Sequence, residues 1–206
     1  MAANYNNSAW FYDRLSALVY GKALIKAQVY LLEFIEPGNK ILLVGGGTGR
    51  ILEEIAKTYP SGLEITYVEI APKMVELSKE RNCGRNAVIF ITDAVENVNL
   101  SDDFDVVFTP FLFDNFKEEN FQKLFAHIHQ SLKSGGLWLN TDFQLTGKWW
   151  QHILLRSMFI FFRLICRIEG NRLPDIKKCF ADHGYELTDQ KTLYWEFILS
   201  SCYLKR

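Results

Sequence analysis

The sequence lacks several features that mark common protein classes. None of its four cysteines forms a Cys-x-x-Cys pair, so we expect free thiols in a reducing compartment and no metal site. Lys and Arg total 23 against 24 for Asp and Glu, so no basic excess favours nucleic acid as a partner. The N-terminal residues carry neither a basic start nor a long apolar run. We therefore expect no secretory signal and a cytoplasmic protein.

The sequence contains enough apolar side chains to form one sizeable core. Hydrophobic residues make up 49% of the chain and aromatic residues 15%, which argues against disorder. No repeat or low-complexity linker divides the sequence, so we predict a single domain over residues 1–206. Within it, a helical pattern over residues 8–36 predicts an N-terminal cap at 1–36, and residues 144–172 predict an inserted apolar helix. The cap either packs on the domain through its aromatic residues or covers a ligand as a lid that includes Tyr12-Asp13-Arg14.

The most informative stretch is 41–49, in which four apolar residues precede four glycines within five positions. A short apolar run is typical of a strand buried on both faces, as in a parallel sheet. Glycines then allow a sharp turn and the close approach of a ligand to the backbone. The helical pattern after Arg50 directs free N–H groups at that ligand. Strand, loop and helix together predict a site for a nucleotide-type cofactor.

Further apolar runs alternate with helical patterns along the chain. They predict strands at 63–70, 87–91, 104–109 and 137–143, and a parallel sheet with right-handed crossovers. Two more strands, at 185–192 and 194–204, are separated by almost nothing, so we expect them to be antiparallel neighbours.

Glu69 ends the second predicted strand, 20 residues after Gly49. An acid at this offset accepts hydrogen bonds from ribose hydroxyls in nucleotide sites. The alternative is that Glu69 only caps the following helix. With the glycine loop in place, ribose binding is the favoured interpretation.

The glycines follow a Gly-x-Gly-x-Gly register, with Arg50 where a dinucleotide fingerprint needs its third glycine. This register disfavours an NAD(P) oxidoreductase. Gly45-Gly46-Gly47-Thr48-Gly49 instead resembles the first motif of the class I S-adenosylmethionine-dependent methyltransferases. The order of further residues also resembles that family, over about 40–143 and, by topology, in the last two strands. These are Glu69, Met74, Asp93-Ala94 and Lys133-Ser134-Gly135-Gly136.

The resemblance implies an α/β fold with a Rossmann-like sheet of seven strands, mostly parallel with an antiparallel last strand, and helices on both faces. It implies S-adenosylmethionine as cofactor and a role for each matching position. The glycine loop would approach the methionine part, and Glu69 would hold the ribose. Ile70, Met74, Asp93 and Ala94 would surround the adenine, and Thr109 and Phe111 would lie near the sulfonium. The implied cofactor-binding residues are Gly45, Gly46, Gly47, Thr48, Gly49, Glu69, Ile70, Met74, Asp93, Ala94, Thr109 and Phe111. The family usually has an acid two residues before the first glycine, where this chain has Leu43.

The resemblance predicts a methyltransferase acting on a small or lipophilic acceptor at oxygen, nitrogen or carbon. The alternative is a methyltransferase-like binding or interaction module without activity. A general base is needed only for some acceptors. Asp114, Asp142 and His152 are candidates, but each residue type also serves as a helix cap or a solvated loop residue.

The apolar segment 149–168 gives the only clue to the acceptor and to partners. In this fold, loops beyond the carboxyl ends of the strands build the acceptor pocket. Spacings of 4, 7 and 4 align His152, Arg156, Arg163 and Arg167 along one helical stripe. Three arginines argue against a membrane-spanning helix. The stripe fits burial within the fold, a homodimer contact or peripheral contact with a membrane.

Overall fold

The strands and helices follow the alternation that the sequence predicts. The structure is a computed structural model that describes residues 15, 17–166, 168 and 170–206. The lid hypothesis for Tyr12-Asp13-Arg14 lies outside the described residues. The strands are β1 Lys40–Val44, β2 Ser61–Val68, β3 Arg85–Ile91, β4 Phe104–Pro110, β5 Leu132–Phe143, β6 Tyr185–Leu193 and β7 Ile198–Lys205. The α-helices are α1 Ala23–Tyr30, α2 Arg50–Thr58, α3 Pro72–Lys79, α4 Glu118–Ser131, α5 Trp149–Cys166 and α6 Ile176–Asp182. Short 3₁₀ turns lie at Leu31–Phe34, Val95–Asn97 and Phe113–Asn115.

The seven strands form one sheet in the order β3-β2-β1-β4-β5-β7-β6. Strands β1 to β5 pair in parallel, and β7 runs antiparallel to both β5 and β6. The predicted Rossmann-like fold is therefore confirmed. The strand order reverses between β1 and β4, so a crevice opens at the carboxyl ends of these two strands.

The apolar run of β1 is explained by helices on both faces of the sheet. Ile41 and Leu43 contribute to a core that includes residues of α2, whereas Leu42 and Val44 contribute to a core that includes residues of α4 and α6. A third cluster packs Leu155 of α5 with residues near the ends of β5 and β7.

The N-terminal helical pattern is interrupted at Gly21. Gly21 has a φ of +59° and lies between the helical residues 17–20 and α1. Helical continuation would require a negative φ, so the left-handed residue ends the first segment.

The connection between the last two strands differs from the prediction. Residues 194–197 form a turn in which Tyr194, Trp195 and Glu196 all have positive φ. Phe197 is fully buried, so the apolar pattern continues through the turn, and the sequence gives no sign of the turn. The strand predicted to begin at residue 194 begins at Ile198.

Helix α5, which lies in the inserted segment, has one buried face and one exposed face. Leu155, Met158 and Phe159 are buried against the fold, so one face of the helix belongs to the core. The opposite face, here called the outer face of α5, leaves Trp149, Ile153, Ile160 and Leu164 between 53% and 79% exposed. No helix among the described residues is long and apolar enough to cross a membrane.

Candidate functional site

A cavity of about 410 Å³ lies at the carboxyl ends of β1, β2 and β4. We call it the glycine-loop cavity, because Gly45, Gly46, Gly47 and Thr48 form part of its wall. Most of the site residues implied by the resemblance line this cavity. They are the four loop residues together with Glu69, Ile70, Met74, Asp93, Ala94 and Phe111.

The glycine loop is shaped by close packing on one side and open space on the other. A Cβ at Gly46 would lie 2.4 Å from a ring carbon of Tyr67 and 2.5 Å from Leu43 Cδ2. A Cβ at Gly47 would meet no heavy atom within 4 Å, and its φ is +60°. The Tyr67 hydroxyl donates to the Gly47 carbonyl at 2.7 Å and anchors the loop from below. The loop therefore leaves room beside Gly47 for a ligand to reach the backbone.

Glu69 connects the glycine loop to the start of α3. Its Oε2 accepts from the Gly47 N–H at 3.1 Å, and its Oε1 accepts from the Ala71 N–H at 2.9 Å. Burial raises the pKa of Glu69, and the backbone N–H bonds oppose that shift. Glu69 thus bonds to the residue that precedes α3 and also forms part of the cavity wall. A carboxylate oxygen has two lone pairs, so both oxygens retain acceptor capacity for ligand hydroxyls.

Asp93 and Ala94 lie at the opposite wall. The Asp93 carboxylate accepts from the Ala94 N–H at 2.7 Å and from Asn97 Nδ2 at 2.8 Å. These bonds hold the turn after β3 in place, and Asp93 stays exposed at the cavity edge.

Two residues implied by the resemblance do not line the cavity. Gly49 begins α2 with a φ of +75°, and a Cβ there would lie 2.8 Å from the Ser78 backbone. Thr109 is fully buried, donates from Oγ1 to Asn140 Oδ1 at 2.9 Å and accepts from Trp138 Nε1 at 2.9 Å. The side chain of Thr109 therefore lies beside Trp138, in the core near α4, and does not line the glycine-loop cavity.

Leu43, at the position where the family usually has an acid, does not line the cavity. It is fully buried in the core that includes residues of α2. Polar cavity residues that the sequence reading missed come from elsewhere, namely Gln28, Asn97, Asn115 and Asn120. Gln28 lies on α1 together with Leu24 and Ile25, so the N-terminal region supplies one wall. The helical pattern alone did not show which face of α1 meets the cavity.

A second cavity of about 270 Å³ adjoins the first, and we call it the α5 cavity. Leu24, Phe111 and Asn115 line both cavities, so the two spaces meet around these residues. The described lining of the α5 cavity is mainly aromatic and aliphatic. Its polar members are Tyr20, Asp114, Asn115 and Ser157.

Two of the three candidate bases come together near this junction. Asp142 Oδ2 accepts from the Phe113 N–H at 3.2 Å, and its Oδ1 accepts from the Phe143 N–H at 2.8 Å. Burial raises the pKa of Asp142 to about 7. Burial and the charge of Asp142 raise the pKa of Asp114 well above its usual range. His152 is exposed on α5 and lines neither cavity.

The remaining groups give no sign of metal chemistry among the residues that the structure describes. No cluster of three His, Cys, Asp or Glu side chains is placed to bind a metal there. Cys166, Cys179 and Cys202 are buried, and Cys83 is half-buried.

The sheet order and a glycine-loop cavity at its switch point define a nucleotide-cofactor site of the Rossmann-like type. Residues 41–136 match the family described as "Methyltransferase domain". Residues 41–136 therefore belong to a methyltransferase domain, of the S-adenosylmethionine-dependent class I type that the glycine motif resembles.

Curated relatives include a protein called malonyl-[acyl-carrier protein] O-methyltransferase 1 from Ilyobacter polytropus. It is 31% identical over 137 residues, which cover 65% of this chain and 48% of the relative. A Bacillus cereus protein with the corresponding name is 26% identical over 68% of this chain and 51% of its own length. The chain thus spans about half the length of these relatives.

Solved structures share the fold at low identity. Magnesium protoporphyrin IX methyltransferase from Synechocystis with bound S-adenosylhomocysteine has a TM-score of 0.69 at 14% identity. That match covers 98% of this chain and 97% of the other. A Burkholderia thailandensis 1,6-didemethyltoxoflavin-N1-methyltransferase has a TM-score of 0.66 at 14% identity, over 96% of this chain and 88% of the other.

Proposed function

We propose that this chain transfers a methyl group from S-adenosylmethionine to a small, largely apolar acceptor held in the α5 cavity. The observation that carries the proposal is the junction at Leu24, Phe111 and Asn115, where the α5 cavity meets the glycine-loop cavity. In this arrangement the glycine loop and Glu69 bind the cofactor, and the apolar walls bind the acceptor.

The cavity residues fit the cofactor in size and chemistry. The open space beside Gly47 admits a close ligand, and Glu69 offers acceptor oxygens for ribose hydroxyls. Ile70 and Met74 offer apolar contact for a base, with Asp93 and Ala94 at its edge. Bound S-adenosylmethionine supplies an electrophilic methyl group, and the main work of the protein is to orient the acceptor and exclude water. Phe111, with a φ of +52°, is held at the junction of the two cavities by an N–H bond to the Thr141 carbonyl.

Calorimetry with S-adenosylmethionine and S-adenosylhomocysteine tests the cofactor part of the proposal. Glu69→Gln should lower the affinity for both by about tenfold or more, because a hydrogen bond to a charged group contributes roughly 1.5–3 kcal/mol. Glu96→Gln is the matched control, since Glu96 is an exposed acid that lines the same cavity. Failure of the unmodified protein to bind either ligand at high micromolar concentration would instead favour a non-catalytic interaction module.

The names of the curated relatives favour a second acceptor, the carboxyl group of a malonyl thioester on a carrier protein. Methyl transfer to a carboxylate oxygen needs no base. A methyltransferase assay with malonyl and hydroxyl-bearing acceptors in parallel would separate the two candidates.

For the outer face of α5 we propose peripheral contact with an anionic membrane surface. Arg156 and Arg163 are exposed next to the apolar stripe Trp149, Ile153, Ile160 and Leu164. The helix contains no Asp or Glu, so its charge complements anionic lipid.

Co-sedimentation with vesicles tests this contact. We expect binding to phosphatidylserine-containing vesicles, weaker binding to pure phosphatidylcholine, and loss of binding in Ile160→Glu/Leu164→Glu. Leu187→Glu, which places the same charge at a 43% exposed leucine on β6, should bind as the unmodified protein does. If the unmodified protein forms a dimer without lipid and the double variant does not, a second copy of the chain covers this face instead.

A further inference from the structure

One buried acid lines the α5 cavity, and a second buried acid lies close to the first. Asp114 is 7% exposed and Asp142 is 2% exposed. Asp114 lines the α5 cavity, whereas Asp142 lies behind it and does not line the cavity. Among the described lining residues there is no lysine, arginine or histidine that would neutralise a negative charge.

The two carboxyl groups differ in how their oxygens are used. Both oxygens of Asp142 accept backbone N–H bonds, so this residue is held in one orientation. Asp114 Oδ1 accepts from Asn115 Nδ2 at 2.9 Å. The Asp114 side chain lines the α5 cavity, so its carboxyl group can contact a ligand there.

We propose that the Asp114–Asp142 pair binds the hydroxyl group of the acceptor and takes its proton, so that the acceptors are neutral, largely apolar molecules with a hydroxyl group. The inference rests on the proposed function. Two like charges this deeply buried cannot both be ionised at low cost, so the pair holds one proton before reaction. Its single negative charge repels a carboxylate acceptor and attracts an O–H donor.

The step balances without a further reactant. A bond forms between the hydroxyl oxygen and the methyl carbon, and the bond between that carbon and sulfur breaks with its electron pair left on sulfur. The hydroxyl proton passes to the pair, which then holds two protons. Asp114 is the catalytic residue because it lines the cavity, and Asp142 is a positioning residue that acts through Asp114.

Binding to the complex with S-adenosylhomocysteine tests the recognition part, with 4-propylphenol, propylbenzene and 4-propylbenzoate as probes. We expect the phenol to bind at least about tenfold more tightly than propylbenzene, because one hydrogen bond to a charged group is worth this much. The benzoate should bind more weakly than either. In Asp114→Leu the phenol and propylbenzene should bind equally well, and retained propylbenzene binding shows that the cavity is intact. Tighter binding of the benzoate than of the phenol would overturn the inference.

A second pair of variants tests the location. Ser157→Trp should fill the cavity and lower phenol affinity at least about tenfold, since Ser157 is an exposed residue of its lining. His152→Trp introduces the same side chain on the same helix outside both cavities and should leave phenol affinity unchanged. Neither variant should change the affinity for S-adenosylhomocysteine. If the unmodified protein does not bind S-adenosylhomocysteine, the proposed function is wrong. If it binds S-adenosylhomocysteine but not the phenol, only this inference is wrong.

Formation of the methyl ether of 4-propylphenol tests proton transfer. Asp114→Asn keeps a hydrogen-bonding group and should bind the phenol within about threefold of the unmodified protein, but its rate should fall by about 100-fold or more. The rate of the unmodified protein should rise with pH, and Asp142→Asn should shift that profile, which a purely structural role would not do. No ether at any pH, or equal rates with Asp114→Asn, overturns the assignment.

Discussion

Alanine at position 46 is expected to lower the free energy of unfolding by about 3 kcal/mol, because the added methyl group has no space. Its Cβ would lie 2.4 Å from Tyr67 and 2.5 Å from Leu43, and both of these side chains are fully buried. Both neighbours are enclosed by the core and have little space to move, so Gly46→Ala must push the loop away from β2. This movement would also strain the 2.7 Å bond from the Tyr67 hydroxyl to Gly47. Urea unfolding with an unchanged m-value measures the loss.

Gly47→Ala is the matched control in the same loop. Its Cβ meets no heavy atom within 4 Å, so the expected cost is only the left-handed backbone of a non-glycine residue, about 1–2 kcal/mol. The new methyl group would however occupy space in the glycine-loop cavity. Gly47→Ala should therefore weaken the binding of S-adenosylhomocysteine more than Gly46→Ala does, when only the folded protein of each variant is compared. Equal stability of the two variants would contradict the packing argument.

The fold was predictable because its buried strands have distinct patterns. The run Ile41–Val44 is apolar throughout since helices cover both faces of β1, and the same logic locates β4. The turn at 194–197 was not predictable. Its three residues with positive φ are not glycines, and the buried Phe197 continues the apolar pattern of the strands.

The lining of the glycine-loop cavity was predictable where residues follow strands directly. Glu69 and Asp93 come after β2 and β3, and parallel strands bring their carboxyl ends to one edge of the sheet. Thr109 does not line the cavity, because its place inside β4 lets the side chain face the core beside Trp138. The approach of Asp114 to Asp142 depends on β4 and β5 being neighbours, and the α5 cavity depends on how α5 packs. No local pattern in the sequence encodes these tertiary contacts.

The buried acids should also make the protein less stable as the pH rises. Burial raises the pKa of Asp142 from 3.8 to about 7 in the folded protein. Between these values the folded state binds more protons than the unfolded state, so stability falls with increasing pH. One such group contributes a slope of about 1.4 kcal/mol per pH unit, which amounts to roughly 4 kcal/mol between about pH 4 and pH 7. The raised pKa values of Asp114 and Glu69 act in the same direction.

Asp142→Asn separates this effect from the rest of the chain. The amide keeps the shape of the side chain but does not titrate, so its unfolding free energy should fall less steeply over this pH range. The lowered pKa of Asp105 has the opposite sign, but its contribution is lost only as the pH drops below about 4. Urea unfolding at a series of pH values measures both slopes, with Asp182→Asn as an exposed control on α6. Parallel slopes for Asp142→Asn and the unmodified protein would show that Asp142 is not protonated by folding, and that its two backbone N–H bonds outweigh its burial.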